Sequence, residues 1–127
     1  CDVGKMMHRQ LGLWDASLYE YGPLYGTTFD LDKAGRLLCH ETQMTHAMLF
    51  TGVDVADGAP RRWRVEHSWG EKDQGRKGFY AMNDSWFDEY VFEVAVRRES
   101  LPSDLQPAVD LEPIVLPPWD PMGALAR

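Results

Sequence analysis

The stretch from Thr45 to Trp69 most constrains the fold. Its first part, THAMLFTGVDV, is rich in apolar and β-branched residues, and its length suits a buried strand better than a helix. DGAP at 57–60 reads as a turn, and RRWRVEHSW then alternates cleanly from Arg62, with His67 at an apolar position. Successive strand side chains point to opposite faces, so Arg62, Arg64 and Glu66 share one side and Trp63, Val65 and His67 the other. The pattern predicts antiparallel pairing with one wet face and one packed face, and it turns His67 inward. On the preceding strand His46 shares a face with Met48 and Phe50.

The flanking sequence fills in a coarse architecture of two or three antiparallel strands with a helical lid. EKDQGRKG (71–78) is a polar loop before a short strand, FYAM, and Asn83-Asp84-Ser85 precedes WFDEY as a single capped helical turn leading into a strand, VFEVAV. Upstream, Asp32 is placed to cap a short helix over 33–38, which Gly35 makes marginal. Residues 1 to 29, with their glycines, Pro23 and bulky Trp14, Tyr19 and Tyr25, read as irregular packed loop. After Leu101 six prolines and a final MGALAR give an extended tail, whose Ile114, Val115, Leu116, Trp119 and Met122 are expected to dock onto a surface.

With 127 residues, 44% of them hydrophobic, the chain supports one folding unit or a piece of one. A net charge of −7 argues against a nucleic-acid surface, since the basic residues are scattered. The tight cluster Arg61, Arg62 and Arg64 reads as a solvated strand face. There is no membrane-length apolar run, and CDVGKMMHRQ lacks the pattern of a secretory signal, so a soluble segment that is not itself exported is expected. Two cysteines make no disulfide framework and fit a reducing cytosol. Cys1 in place of an initiating Met suggests a fragment or a processed product.

His46 and His67 form the chemically suggestive pair. An imidazole kept from free solvent by an aromatic such as Trp69 is what a cysteine or serine nucleophile needs as its base; two hydrogen-bonded core histidines are the bland alternative. A zinc set of Cys39, His40, His46 and His67 is poorly spaced, because adjacent Cys39 and His40 do not converge easily on one ion, so no metal is expected. Asp84, Asp88 and Glu89 are explained by an exposed capped turn, and no phosphate-cradling glycine loop is present.

CDVGK, QMTHAMLFTGVD, WRVEHSWGE, GRKGFYAM, DSWFDEYVFEV and EPIVLPPWDPMGALA together resemble, in order and over essentially the whole chain, the C-terminal part of the bleomycin hydrolase and aminopeptidase C branch of the papain-like cysteine peptidases. The resemblance implies an α+β papain-like fold. In it, residues 1–127 form the C-terminal, histidine-bearing part with a curved antiparallel sheet and short helices, and 101–127 an extended C-terminal arm. It implies an intracellular, cytoplasmic aminopeptidase that acts on peptides without a cofactor, in which His46 matches the catalytic histidine. His67 stands where that family has an asparagine orienting the histidine, with Trp69 in support. Residues Met122 to Ala126 match an arm whose terminal carboxylate, on Ala126 or Arg127, meets the substrate amine.

Two departures bear on activity. The nucleophilic motif is absent, and neither Cys1 nor Cys39 occupies its place, so the chain alone is expected to be inert and to need an N-terminal Cys-bearing lobe. Family members also assemble as homo-hexamers. His67 is larger than an amide and accepts a hydrogen bond from His46 only as the correct neutral tautomer. Without the partner lobe, Trp14, Tyr21, Trp119 and Leu125 are expected to be exposed. The alternative is a catalytically inactive remnant or homologue serving as a structural or binding subunit.

Overall fold

The alternation read from the sequence dictates the centre of the structure. The computed structural model describes residues 1–72 and 75–126, the last three of these as backbone only. Strands β1 (Met7–His8), β2 (Leu13–Trp14), β3 (Leu49–Ala56), β4 (Ala59–Glu66) and β5 (Phe79–Asn83) form one sheet in the order β1-β2-β5-β4-β3. Asp57 and Gly58 close the β3–β4 hairpin with φ of 53° and 80°. Asp-Gly adopts such paired left-handed positions at low cost, which is why the turn needs only two residues. Ala59 and Pro60, expected in the turn, therefore already belong to β4.

β4 pairs antiparallel with β5, placing Val65 opposite Tyr80 and Trp63 opposite Met82. Val65, Tyr80 and Met82 are buried together with Trp14, Trp86 and Val91. Residues 1 to 29 are not wholly irregular: β1 and β2 lie there, as does a short helix α1 (Tyr21–Tyr25). β2 runs parallel to β5, the one parallel pair among the described strands, which otherwise pair antiparallel. Trp14, expected at an exposed face, is fully buried. Its ring packs on Tyr80 and Trp86, and Nε1 donates to the Val3 carbonyl at 3.0 Å.

Helix α2 (Lys33–Leu38) forms where expected, with Asp32 Oδ1 accepting from Gly35 N at 2.7 Å. It is tied to helix α3 (Asp84–Tyr90), which follows β5 directly. Lys33 Nζ donates to the Asp88 and Val91 carbonyls, placing a cation on the bare carbonyl end of α3. Asn83 stands at the N-cap of α3 without a side-chain capping bond. Its amide instead accepts from Arg62 Nε at 2.9 Å and donates to Asp15.

Two further expectations change. VFEVAV forms no strand: 91–97 has no ladder partner among the described residues. β-propensity is realised only where a neighbouring backbone accepts the pairing. Among the described residues, 3-10 turns follow at Arg98–Ser100 and, within the tail, at Gln106–Asp110 and Pro121–Ala126. Ile114 and Trp119 are 89% and 77% exposed, so that stretch does not dock onto the rest of this chain. No helix among the described residues is long and apolar enough to cross a membrane.

One long-range clasp closes the region that carries His46. Asp2 is buried, and its Oδ2 accepts from Thr42 Oγ1 at 2.7 Å and from Gln43 N at 3.3 Å. The Cys1 carbonyl accepts from Thr45 N at 2.9 Å and from His46 N at 3.3 Å.

Candidate active site

His67 directly follows β4, and the strand period carries it to the packed face, where it is 7% exposed. Its backbone N–H donates to the Gly78 carbonyl at 3.2 Å. His46 is half-buried and is not on a strand: β3 begins at Leu49, not at Thr45. The Cys1–Asp2 clasp, not a sheet ladder, sets its backbone.

The structure brings the two histidines together, with ring centroids 5.0 Å apart and planes at 16°. Trp69 stacks on His67 at 3.8 Å and lies 5.2 Å from His46. Trp14 also packs on His67, at 5.2 Å. The Arg9 guanidinium lies 5.1 Å from the centre of the Trp69 ring. Sequence reasoning found Trp69 but missed Trp14 and Arg9 as parts of this stack, because both arrive from the β1–β2 region.

A hydrogen bond between imidazoles needs an in-plane N–H aimed at an in-plane lone pair. Nearly parallel stacked rings direct these groups past one another. Accordingly His46 Nε2 and both nitrogens of His67 are buried without a hydrogen-bond partner. His67 thus supports His46 through its ring face and does not accept its proton. The same geometry keeps the lone pairs from converging on one ion, and no group of three His, Cys, Asp or Glu side chains among the described residues could hold a metal.

Burial sets the protonation of both rings. Desolvation, then the nearby His46 and Arg9, lowers the pKa of His67 to about 4. Burial also lowers the pKa of His46. Near neutral pH both rings are uncharged, the form in which an imidazole takes up a proton. Tyr80, beside His67, has its hydroxyl pushed up by burial against the opposing charge and hydrogen bond of Arg9.

Neither cysteine is positioned to react with His46. Cys39 is exposed at the end of α2, and Cys1 Sγ donates to the His46 backbone carbonyl at 3.3 Å, not to its ring. His46 lines an open hollow of about 420 Å³ whose walls include Met44, Met48, Phe50, Val91 and Val94. Such a hollow offers an uncharged base beside an apolar surface. Ala126 ends the last 3-10 turn, which lies near α2, and its side chain and all of Arg127 lie outside what is described. Tyr21 and Trp119 are exposed as expected, and the Leu125 side chain is also outside the described set.

The profile of the Peptidase C1-like family matches residues 1–123. The chain belongs to that family. Among Peptidase C1-like relatives it is 51% identical to human bleomycin hydrolase, the match covering 100% of this chain and 29% of that protein. It is 46% identical to aminopeptidase C of Lactobacillus helveticus, over 98% of this chain and 28% of the relative. The crystal structure of PepW from Lactobacillus rhamnosis HN001, 47% identical, matches with a TM-score of 0.89 over 96% of this chain and 28% of that one. The chain therefore spans less than a third of the length of the relatives it matches.

Proposed function

We propose that residues 1–127 are the C-terminal, histidine-bearing part of a cysteine aminopeptidase similar to bleomycin hydrolase, with the nucleophile on an N-terminal lobe outside this chain. The observation that carries the reading is a half-buried, uncharged His46 backed by the His67–Trp69 stack and bordering an open apolar hollow. In this reading His46 takes the thiol proton, and the thiolate adds to the carbonyl of the substrate's first peptide bond. The C–N bond then breaks as the imidazolium returns the proton to the leaving amine, and water hydrolyses the thioester. Trp69 shields the imidazole pair from water. The arm, 101–127, brings the carboxylate of Ala126 or Arg127 to the substrate's free amine through a charge-assisted hydrogen bond. Peptide substrates, a homo-hexameric assembly and a cytoplasmic location belong to the same reading.

A second reading, an inactive homologue serving as a structural or binding subunit, is favoured by one observation. His67 stacks on His46 and leaves His46 Nε2 without an acceptor, where an amide would supply one. Hydrolysis of an aminoacyl-methylcoumarin amide by the full-length protein between about pH 5 and about pH 8 separates the two. The peptidase reading expects turnover that vanishes in His46→Ala and changes rate or pH profile in His67→Asn. Turnover surviving intact in His46→Ala, or none in any form that carries the nucleophile, removes it.

A further inference from the structure

The face of the sheet opposite the histidines carries a second built feature. Gly52, Arg64 and Ala81 align across β3, β4 and β5, next to a row formed by Asp54, Arg62 and Asn83. Small residues on both sides of Arg64 leave a hollow of about 560 Å³, whose walls include Leu11, Val53 and Phe79. Arg64 is held across it, its guanidinium 4.9 Å from the centre of the Phe79 ring and Nε donating to Thr51 Oγ1 at 2.9 Å. Arg62 Nε is fixed on Asn83 Oδ1.

The third arginine comes from a different segment. Lys77 and Gly78, with φ of 53° and 82°, make a tight turn across which Arg76 and Phe79 exchange backbone bonds of 2.9 and 3.1 Å. That turn is seated by backbone contact, since a Cβ on Gly12 would meet Gly75 Cα at 2.4 Å. Arg76 therefore lines the hollow from a fixed backbone.

Among the described residues no carboxylate lies within ion-pair distance of Arg62, Arg64 or Arg76. Asp54 is taken by Arg61 at 2.6 Å, and Glu66, exposed on the same face, makes no such pair. Neutral acceptors thus orient two guanidiniums while their charge stays available, in a chain whose net charge is −7. Planar guanidinium forks match carboxylates in two-point contacts.

We propose that this hollow docks an extended acidic peptide segment of a partner protein. Its carboxylates lie on Arg64 and Arg76, with Arg62 at the rim, and its apolar side chains rest on Phe79 and Leu11. A nucleic acid fits poorly: phosphate binding depends on an extended basic track, and these arginines form a short cluster on a chain whose net charge is −7. The proposal does not depend on peptidase activity.

The test uses the full-length protein and a fluorescein-labelled octapeptide of alternating Glu and Leu, titrated by anisotropy. Saturable, salt-sensitive binding is expected. Arg64→Gln and Arg76→Gln should each weaken it about tenfold or more, Arg62→Lys only slightly, with aminoacyl-amide hydrolysis and thermal midpoints unchanged. The proposal is overturned by absent binding, by unchanged affinity in both Gln variants, by equal binding of a Lys-Leu peptide, or by tighter binding of a single-stranded oligonucleotide of equal charge.

Discussion

Acidifying the chain from about pH 7 to about pH 4.5 tests the environment of His67 directly. In the unfolded chain its imidazole takes up a proton as pH falls through the ordinary value of 6.5, whereas in the folded chain it does so only near 4. The unfolded state therefore binds more protons throughout that window, and stability falls as pH falls. The contribution is complete above 6.5, is lost on descent toward 4, and is level below it. At about 1.36 kcal/mol per pKa unit the loss approaches roughly 3 kcal/mol, with little relief from solvent at a residue 7% exposed. Carboxylates titrate in the same range, so the decisive comparison is with His67→Phe, which keeps a ring in the stack and carries no proton. His46 is shifted in the same direction but is present in both proteins. Urea unfolding followed by tryptophan fluorescence should show wild type losing about 2 to 3 kcal/mol more than His67→Phe between the two pH values. A histidine Cε1–H titration should place His67 near 4. Parallel pH curves for the two proteins, or an ordinary midpoint for His67, would refute a dry, uncharged His67.

Further outcomes follow from other contacts. Trp14→Ala should cost about 3 to 5 kcal/mol in urea unfolding, because it empties the buried site between Tyr80 and Trp86. Asp32→Ala should cost about 0.5 to 2 kcal/mol by removing the bond to Gly35 N, with Asp32→Asn largely restoring it. Gly75→Ala should lower the thermal midpoint more than an exposed loop change does, since its Cβ would meet the Phe79 carbonyl at 2.5 Å from a backbone with φ of 50°.

The legible parts of this fold are those where neighbours in sequence decide the outcome. Val65 and His67 alternate with Arg64 and Glu66 over enough residues to fix a face, Asp57-Gly58 closes its own turn, and Asp32 finds its acceptor's partner three residues on. β1 and β2 were not legible, because two residues carry no period and Leu13–Trp14 is a strand only by its pairing with distant β5. VFEVAV is the converse case, with strand composition but no neighbour to pair with among the described residues. At the site, strand alternation placed His67 inward, and the family pattern singled out His46. The planes of the two rings depend on Trp69 and Trp14 closing around them, a matter of three-dimensional packing that no spacing encodes.

The clasp of Cys1 and Asp2 on residues 42–46 bears on the order in which the chain folds, not only on how it is held. Loops of this span close at an entropic cost that a local hairpin does not face. β3 and β4, joined by a two-residue turn, can pair early. His46 acquires its backbone partners only once residues some forty positions away have returned to it. The hairpin should thus be protected from hydrogen exchange before the Thr45 and His46 amides during refolding, making His46 a late arrival in a scaffold already built.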